Sequence, residues 1–194
     1  MSDALIGFIG AIIGGICTLI GTLMINNHAK KEAKRTEEES IKAFLQAIEA
    51  ELTTLWDLYF QGAGIFLEST EEGKPFLYHY IVEQDYFIIY NKNSNFLGKI
   101  QDELLRKQIV LTYTKAKAIV DSYSLNNKII DQYLNMILLF QQTQLPEFQN
   151  NSILYNNTLI DYSTKLKTIH HSLKEELFNL QNQIKIYLNQ QIIK

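Results

Sequence analysis

Asp102–Gln144 reads DELLRKQIVLTYTKAKAIVDSYSLNNKIIDQYLNMILLFQQTQ. Ile109, Tyr113, Ala116, Val120, Tyr123, Asn127, Ile130, Leu134 and Ile137 recur at alternating steps of four and three, the spacing of a helix with one apolar seam. Asp102 suits the N-cap, because its short carboxylate can accept from the free backbone N–H groups of the first turn. The helix is expected to stop before Pro146. Asn127 on the seam fits a buried, register-setting amide. It equally fits a wet gap.

A second long helix is expected from Ser152 almost to Lys194, with the seam Tyr155, Leu159, Tyr162, Leu166, Ile169, Leu173, Leu177, Leu180, Ile184 and Tyr187. Two successive four-residue steps around Leu173 read as a stutter that locally relaxes the supercoil. The short connection at Leu145 to Asn151 makes the two helices antiparallel neighbours.

A third seam precedes them: Ile41, Leu45, Ile48, Leu52, Leu55 and Tyr59, widened by Phe44, Trp56 and Phe60. Gly62-Ala63-Gly64 loosens that helix, and Glu71-Glu72-Gly73-Lys74-Pro75 stops it. Phe76–Tyr90 (FLYHYIVEQDYFIIY) follows. Alternation there allows a short strand over 77–82, but one strand without a partner is not a sheet. An extended segment lying across the helices is expected, then a short helix over about 85–97 with Gly98 in the left-handed position that ends it. Tyr78, Tyr80, Tyr86 and Tyr90 make this block a candidate ligand or partner surface, since such rings can stack a base. Core packing between long helices uses the same residues.

At the N-terminus, Ala4–Ile25 is an uncharged, mostly apolar run followed by Lys30, Lys31, Lys34 and Arg35. As a helix it is about 33 Å long, against a hydrocarbon core of about 30 Å. A signal peptide would want a basic residue ahead of it and a small-residue cleavage site. A buried helix in water would be weakened by Gly7, Gly10, Gly14, Gly15 and Gly21. The expectation is a transmembrane helix with the basic cluster, and hence the C-terminus, on the cytoplasmic side of a bacterial inner membrane. Gly7, Gly10, Gly14 and Gly21, with Thr18 and Thr22, form a small-residue face that predicts packing of the span against copies of itself. Lys34/Glu38 and Arg35/Glu39 are spaced as helical ion pairs. The expected fold class is all-α, an N-terminal transmembrane helix continuing into an elongated antiparallel bundle. Its parts are an anchor over 1–29, a charged helical stalk over 30–40 and a cytoplasmic bundle over 41–194.

Composition narrows the chemistry. A net charge of −3, with arginine only at Arg35 and Arg106, leaves no basic footprint for nucleic acid. Cys17 is alone, which excludes an intrachain disulfide. No phosphate-binding loop, nucleophile–base pair or Arg-then-His pairing of the helical toxin ribonucleases is present, so no catalytic residue and no cofactor is assigned. His171 and Glu175 lie one turn apart. Without a third ligand at helical spacing no metal is assigned either.

Tyr86-Phe-Ile-Ile-Tyr90-Asn91, then Leu97-Gly98, then Ile109-Val110 and Tyr113, resembles a segment of bacterial single-span membrane proteins with a cytoplasmic helical domain. The resemblance covers residues 1–125, and that family brings no established activity. Its layout is like that of small membrane effectors of phage defence, which implies a non-enzymatic, oligomerising effector or signalling component. Membrane, a second copy of the chain, and a cytoplasmic protein or small-ligand trigger would be its partners. A passive membrane-tethered scaffold recruiting a cytoplasmic protein is the alternative.

Overall fold

The computed structural model describes the backbone of residues 2–81 and 86–192, and their side chains except at 2–14, 16, 17, 191 and 192. The described residues are almost wholly helical and hold no strand. They fall into two units, Met1–Ala43 and Phe44–Lys194.

Helix α1 runs unbroken over Ser2–Tyr59. Its N-terminal unit carries the expected stalk pairs, Lys34–Glu38 at 3.8 Å and Arg35–Glu39 at 3.0 Å, with Lys30 and Lys31 also exposed. The membrane expectation is corrected here. Among the described residues no helix is long and apolar enough to cross a membrane. Gly7, Gly10 and Gly14 lie outside the described side chains. Gly15 and Gly21 have no atom within 4 Å of an added Cβ, and the Thr22 hydroxyl donates to the Thr18 carbonyl of its own helix at 2.8 Å. The single-pass anchor, the inner-membrane location, the homo-oligomer, the trigger, and with them the effector and scaffold functions, all rested on that span and are withdrawn.

In the second unit α1 ends in a single π-turn, Phe60–Gly64, and resumes as α2, Ile65–Ser69. This is where Gly62 and Gly64 were expected to loosen it. A Cβ on Gly64 would sit 2.8 Å from the Phe60 ring, so the wide turn brings ring and backbone close. Residues 74–81 are neither helix nor strand, and Phe76 and Tyr80 of this segment bond to Asn126 and Asn127 of α4. The Asn127 amide accepts from Tyr80 N–H at 3.2 Å and donates to Tyr80 C=O at 2.7 Å. It pairs with that backbone as a neighbouring strand would.

Helix α3 (Ile88–Asn93) leads into a 3₁₀ turn, Ser94–Lys99. Gly98 lies inside this turn and is not left-handed, which corrects its expected role as a cap. Among the described residues the left-handed ones are Gly73, Phe87 and Gln144. Glu51 of α1 holds the start of α3, accepting from Ile89 N–H at 2.6 Å, Tyr90 N–H at 3.3 Å and the Tyr113 hydroxyl at 2.8 Å.

Helix α4 spans Glu103–Thr143, and Asp102 caps it by accepting from Leu105 N–H at 3.0 Å. Helix α5 spans Pro146–Ile192. It begins six residues earlier than expected, because proline is well suited to the first turn, where its missing N–H costs nothing. Gln108–Glu176, Lys115–Ser172 and the Ile130–Leu159 cluster pair α4 with α5 in antiparallel order.

The buried residues of α4 are Leu105, Ile109, Thr112, Tyr113, Ala116, Ile119, Tyr123, Asn126, Ile129 and Ile130, so the expected Ile109, Tyr113, Ala116, Tyr123 and Ile130 are core. Of the expected positions, Val120 and Asn127 are only half-buried and Leu134 is 50% exposed. In α5 the seam is Leu159, Ser163, Leu166, His170, Leu173, Leu177, Leu180 and Ile184. Those steps alternate without interruption, so there is no stutter. His170 holds the core position that the apolar pattern assigned to Ile169. Gln144 closes α4 at φ 59, its N–H bonded to Phe140 C=O at 2.8 Å. A left-handed non-glycine residue costs about 1 kcal/mol, so Gln144→Gly should raise stability by about that amount in urea unfolding. A loss of stability there would show that the Gln144 side chain matters more than its backbone.

Candidate functional site

The middle of the bundle is polar where a core is normally apolar. Tyr59, from the last turn of the α1 seam, meets Tyr123 of α4 and His170 of α5. Its hydroxyl lies 3.3 Å from the Tyr123 hydroxyl and 2.7 Å from His170 Nδ1. His170 Nε2 lies 2.9 Å from Glu68 Oε1, and Lys174 Nζ donates to the same oxygen at 3.1 Å. With Nε2–H donating to Glu68, the Tyr59 hydroxyl donates to Nδ1 and the Tyr123 hydroxyl donates to Tyr59. Every member is then satisfied. The chain leads from exposed Lys174 to fully buried Tyr123.

Burial sets the protonation of this chain. It holds the His170 imidazole below its ordinary value, against the hydrogen bond that His170 donates to Glu68. It raises Tyr59 far above the usual phenol range and pushes Tyr123 up to about 12. Glu68 is held low by hydrogen bonds from His170 and Lys174. Neutral imidazole and neutral phenols follow at pH 7. A phenol this reluctant to ionise is a poor acid and a poor nucleophile.

Trp56 covers the assembly, its ring 5.2 Å from His170 and stacked on Phe60 at 5.9 Å. On one side of it, Trp56, Tyr59, Tyr80, Tyr86 and Tyr123 line a cavity of about 40 Å³. That is room for a water molecule or two and far less than the about 150 Å³ that admits benzene. A separate groove of about 200 Å³ runs between α1 and α5, lined by Thr53, Trp56, Asp57, Lys174, Leu177, Phe178 and Gln181. Gln181 donates to Thr53 Oγ1 at 3.0 Å, tying the two helices together. Phe178 is 63% exposed, and Asp57 makes no hydrogen bond or ion pair among the described residues.

Of the four tyrosines singled out in the sequence, Tyr80 and Tyr86 meet at one cavity, and Tyr78 and Tyr90 do not line it. Tyr78 stacks on Phe66 at 4.8 Å, Tyr80 packs on Tyr59 and Tyr123, Tyr86 joins Tyr80 at the small cavity, and Tyr90 stacks on Tyr113 at 3.9 Å. His171 does not pair with Glu175. It stands beside His170 and Glu68, the three ligand atoms within 4.8 Å of one another. Sequence reasoning missed Tyr59, Glu68 and His170 as a group. The uninterrupted heptad through position 170 was the one signal for part of it.

Comparison with known proteins finds no matching family model, no similar curated protein and no similar solved structure. The resemblance of residues 86–113 to single-span membrane proteins is therefore not sustained.

Proposed function

We propose that the chain is a non-enzymatic binding domain, and that the groove between α1 and α5 takes a small organic cation with a flat apolar body. The groove carries this reading. Its apolar walls, Trp56, Leu177 and Phe178, flank a carboxylate that has no partner among the described residues, Asp57. Its volume of about 200 Å³ suits a ligand of one ring and a short chain. Lys174, at the other margin, is already engaged by Glu68, so the free charge facing a ligand is negative. An ammonium would meet Asp57 while its ring lies against Trp56 and Phe178.

Phenethylamine is a suitable probe, read by the emission of Trp56, the chain's single tryptophan. Saturable binding with a Kd on the order of a millimolar is expected for so small a ligand. Asp57→Asn should weaken it about tenfold, and 3-phenylpropionate, with the opposite charge, should not bind. Equal binding of amine and acid, or an unchanged Kd in Asp57→Asn, would remove the charge recognition on which the proposal stands.

A further inference from the structure

We infer that Glu68, His170 and His171 form a site for a divalent transition metal of the zinc class. One carboxylate from α2 and two adjacent imidazoles from α5 meet there, with one ligand atom of each within 4.8 Å of the others. Ligands at about 2.0–2.2 Å from zinc stand roughly 3.4 Å apart in a tetrahedron. His170 Nε2 and Glu68 Oε1, now 2.9 Å apart, need to part only slightly. His171, exposed, can turn to complete the set. Three protein ligands leave one position for water.

Two further features suit a metal. A ligating histidine is normally oriented by a hydrogen bond at its other nitrogen. Tyr59 stands 2.7 Å from His170 Nδ1 for that purpose. Metal at Nε2 requires the proton on Nδ1, which then donates to Tyr59, and the Tyr59 hydroxyl donates on to Tyr123. The hydroxyl pair at 3.3 Å allows either direction, so Tyr59 keeps a partner on both sides, with Tyr123 becoming the acceptor. The second feature is Lys174, whose ammonium sits 3.1 Å from the Glu68 oxygen the metal would use. It is a cation already in place, on a half-exposed side chain that can swing into water when a dication replaces it.

The test is Zn²⁺ calorimetry on the full chain, with Ni²⁺ quenching of Trp56 as the local readout, since its ring is 5.2 Å from His170. One-to-one Zn²⁺ binding and Ni²⁺ quenching are expected. His171→Ala should weaken binding about a hundredfold, and Glu68→Gln should weaken it to a similar degree. His171 is exposed, and Glu68→Gln keeps an acceptor oxygen for His170, so the fold should be retained and circular dichroism will report it. Lys174→Met keeps the apolar stem, removes the competing charge, and should tighten binding several-fold. His79→Ala, at a histidine outside the triad and paired with Asp131, should change nothing. Binding that survives His171→Ala, or disappears with His79→Ala, overturns the assignment. So does the absence of both heat and quenching in the wild-type chain.

Discussion

Ile130→Asp should unfold the α4–α5 pair, while Leu134→Asp one turn later should leave it folded. Both residues are aliphatic, both are on α4, and the apolar pattern of the sequence puts both on the core seam. The structure separates them. Ile130 is 1% exposed and clusters with Ile129 and Leu159, with Tyr133, Tyr155 and Tyr162 packed around it. Leu134 is 50% exposed. An unpaired carboxylate at position 130 costs about 3–5 kcal/mol, a large part of the stability of a domain this size. The same carboxylate at position 134 keeps its water and should cost under about 1 kcal/mol. Urea unfolding of the two variants decides the matter. Equal destabilisation would mean that the seam of α4 runs through 127 and 134, and that the packing described is out of phase.

The second large effect is expected at His170. His170→Ala removes a fully buried ring and strands the Tyr59 hydroxyl, so it should cost about 2–4 kcal/mol. His171→Ala, on the adjacent exposed residue, should cost little. The pH dependence has a definite sign. Burial holds folded His170 below the ordinary imidazole value of about 6.5. In that window the unfolded chain binds the proton more readily than the folded one. Stability is therefore full above about pH 6.5 and declines as the pH falls through the folded value. Glu68 and Glu176 are also held low, Glu68 by His170 and Lys174. For Glu176, burial opposes the shift, and hydrogen bonds from Lys115 and Gln108 outweigh it. They add a further loss only below the usual carboxylate range. His170→Leu should abolish the decline between about pH 6.5 and 5 and leave the more acidic loss. A wild-type chain whose stability rises on acidification from pH 7 to 5.5 would contradict this account of the buried imidazole.

His170 also illustrates how a pattern can be right in period and wrong in phase. The α5 seam was legible because Leu159, Leu166, Leu173, Leu177, Leu180 and Ile184 are all apolar. Between Leu166 and Leu173 the sequence offers Ile169 and His170, and hydrophobicity favours the isoleucine. That choice forces a stutter. The helix keeps the even repeat, and the imidazole is admitted because Tyr59 and Glu68 satisfy both of its nitrogens. The same near-degeneracy arises in α4 at Ile119 against Val120, and at Asn126 against Asn127. In each pair the inner residue is set by which neighbour packs against it. Asn127 is then free to hold the Tyr80 backbone.

What the sequence determined by itself is what local physics encodes. The 3–4 periodicity declared long helices, and the scarcity of glycine and proline after residue 98 kept them unbroken. Asp102 marked the start of α4, and the short connection made α4 and α5 antiparallel neighbours. Lys34–Glu38 and Arg35–Glu39 paired at their helical spacing. Phase and site were decided only by tertiary structure. Tyr59 and Tyr123 are 64 residues apart and Tyr59 and His170 are 111 apart, so no window along the chain brings them together. The groove by Trp56 exists because α5 lies beside α1, and Asp57 looks like any solvated carboxylate until Phe178 and Leu177 stand across from it. Burial makes the polar chain costly to break, and burial is a property of the packed helices that no single helix carries.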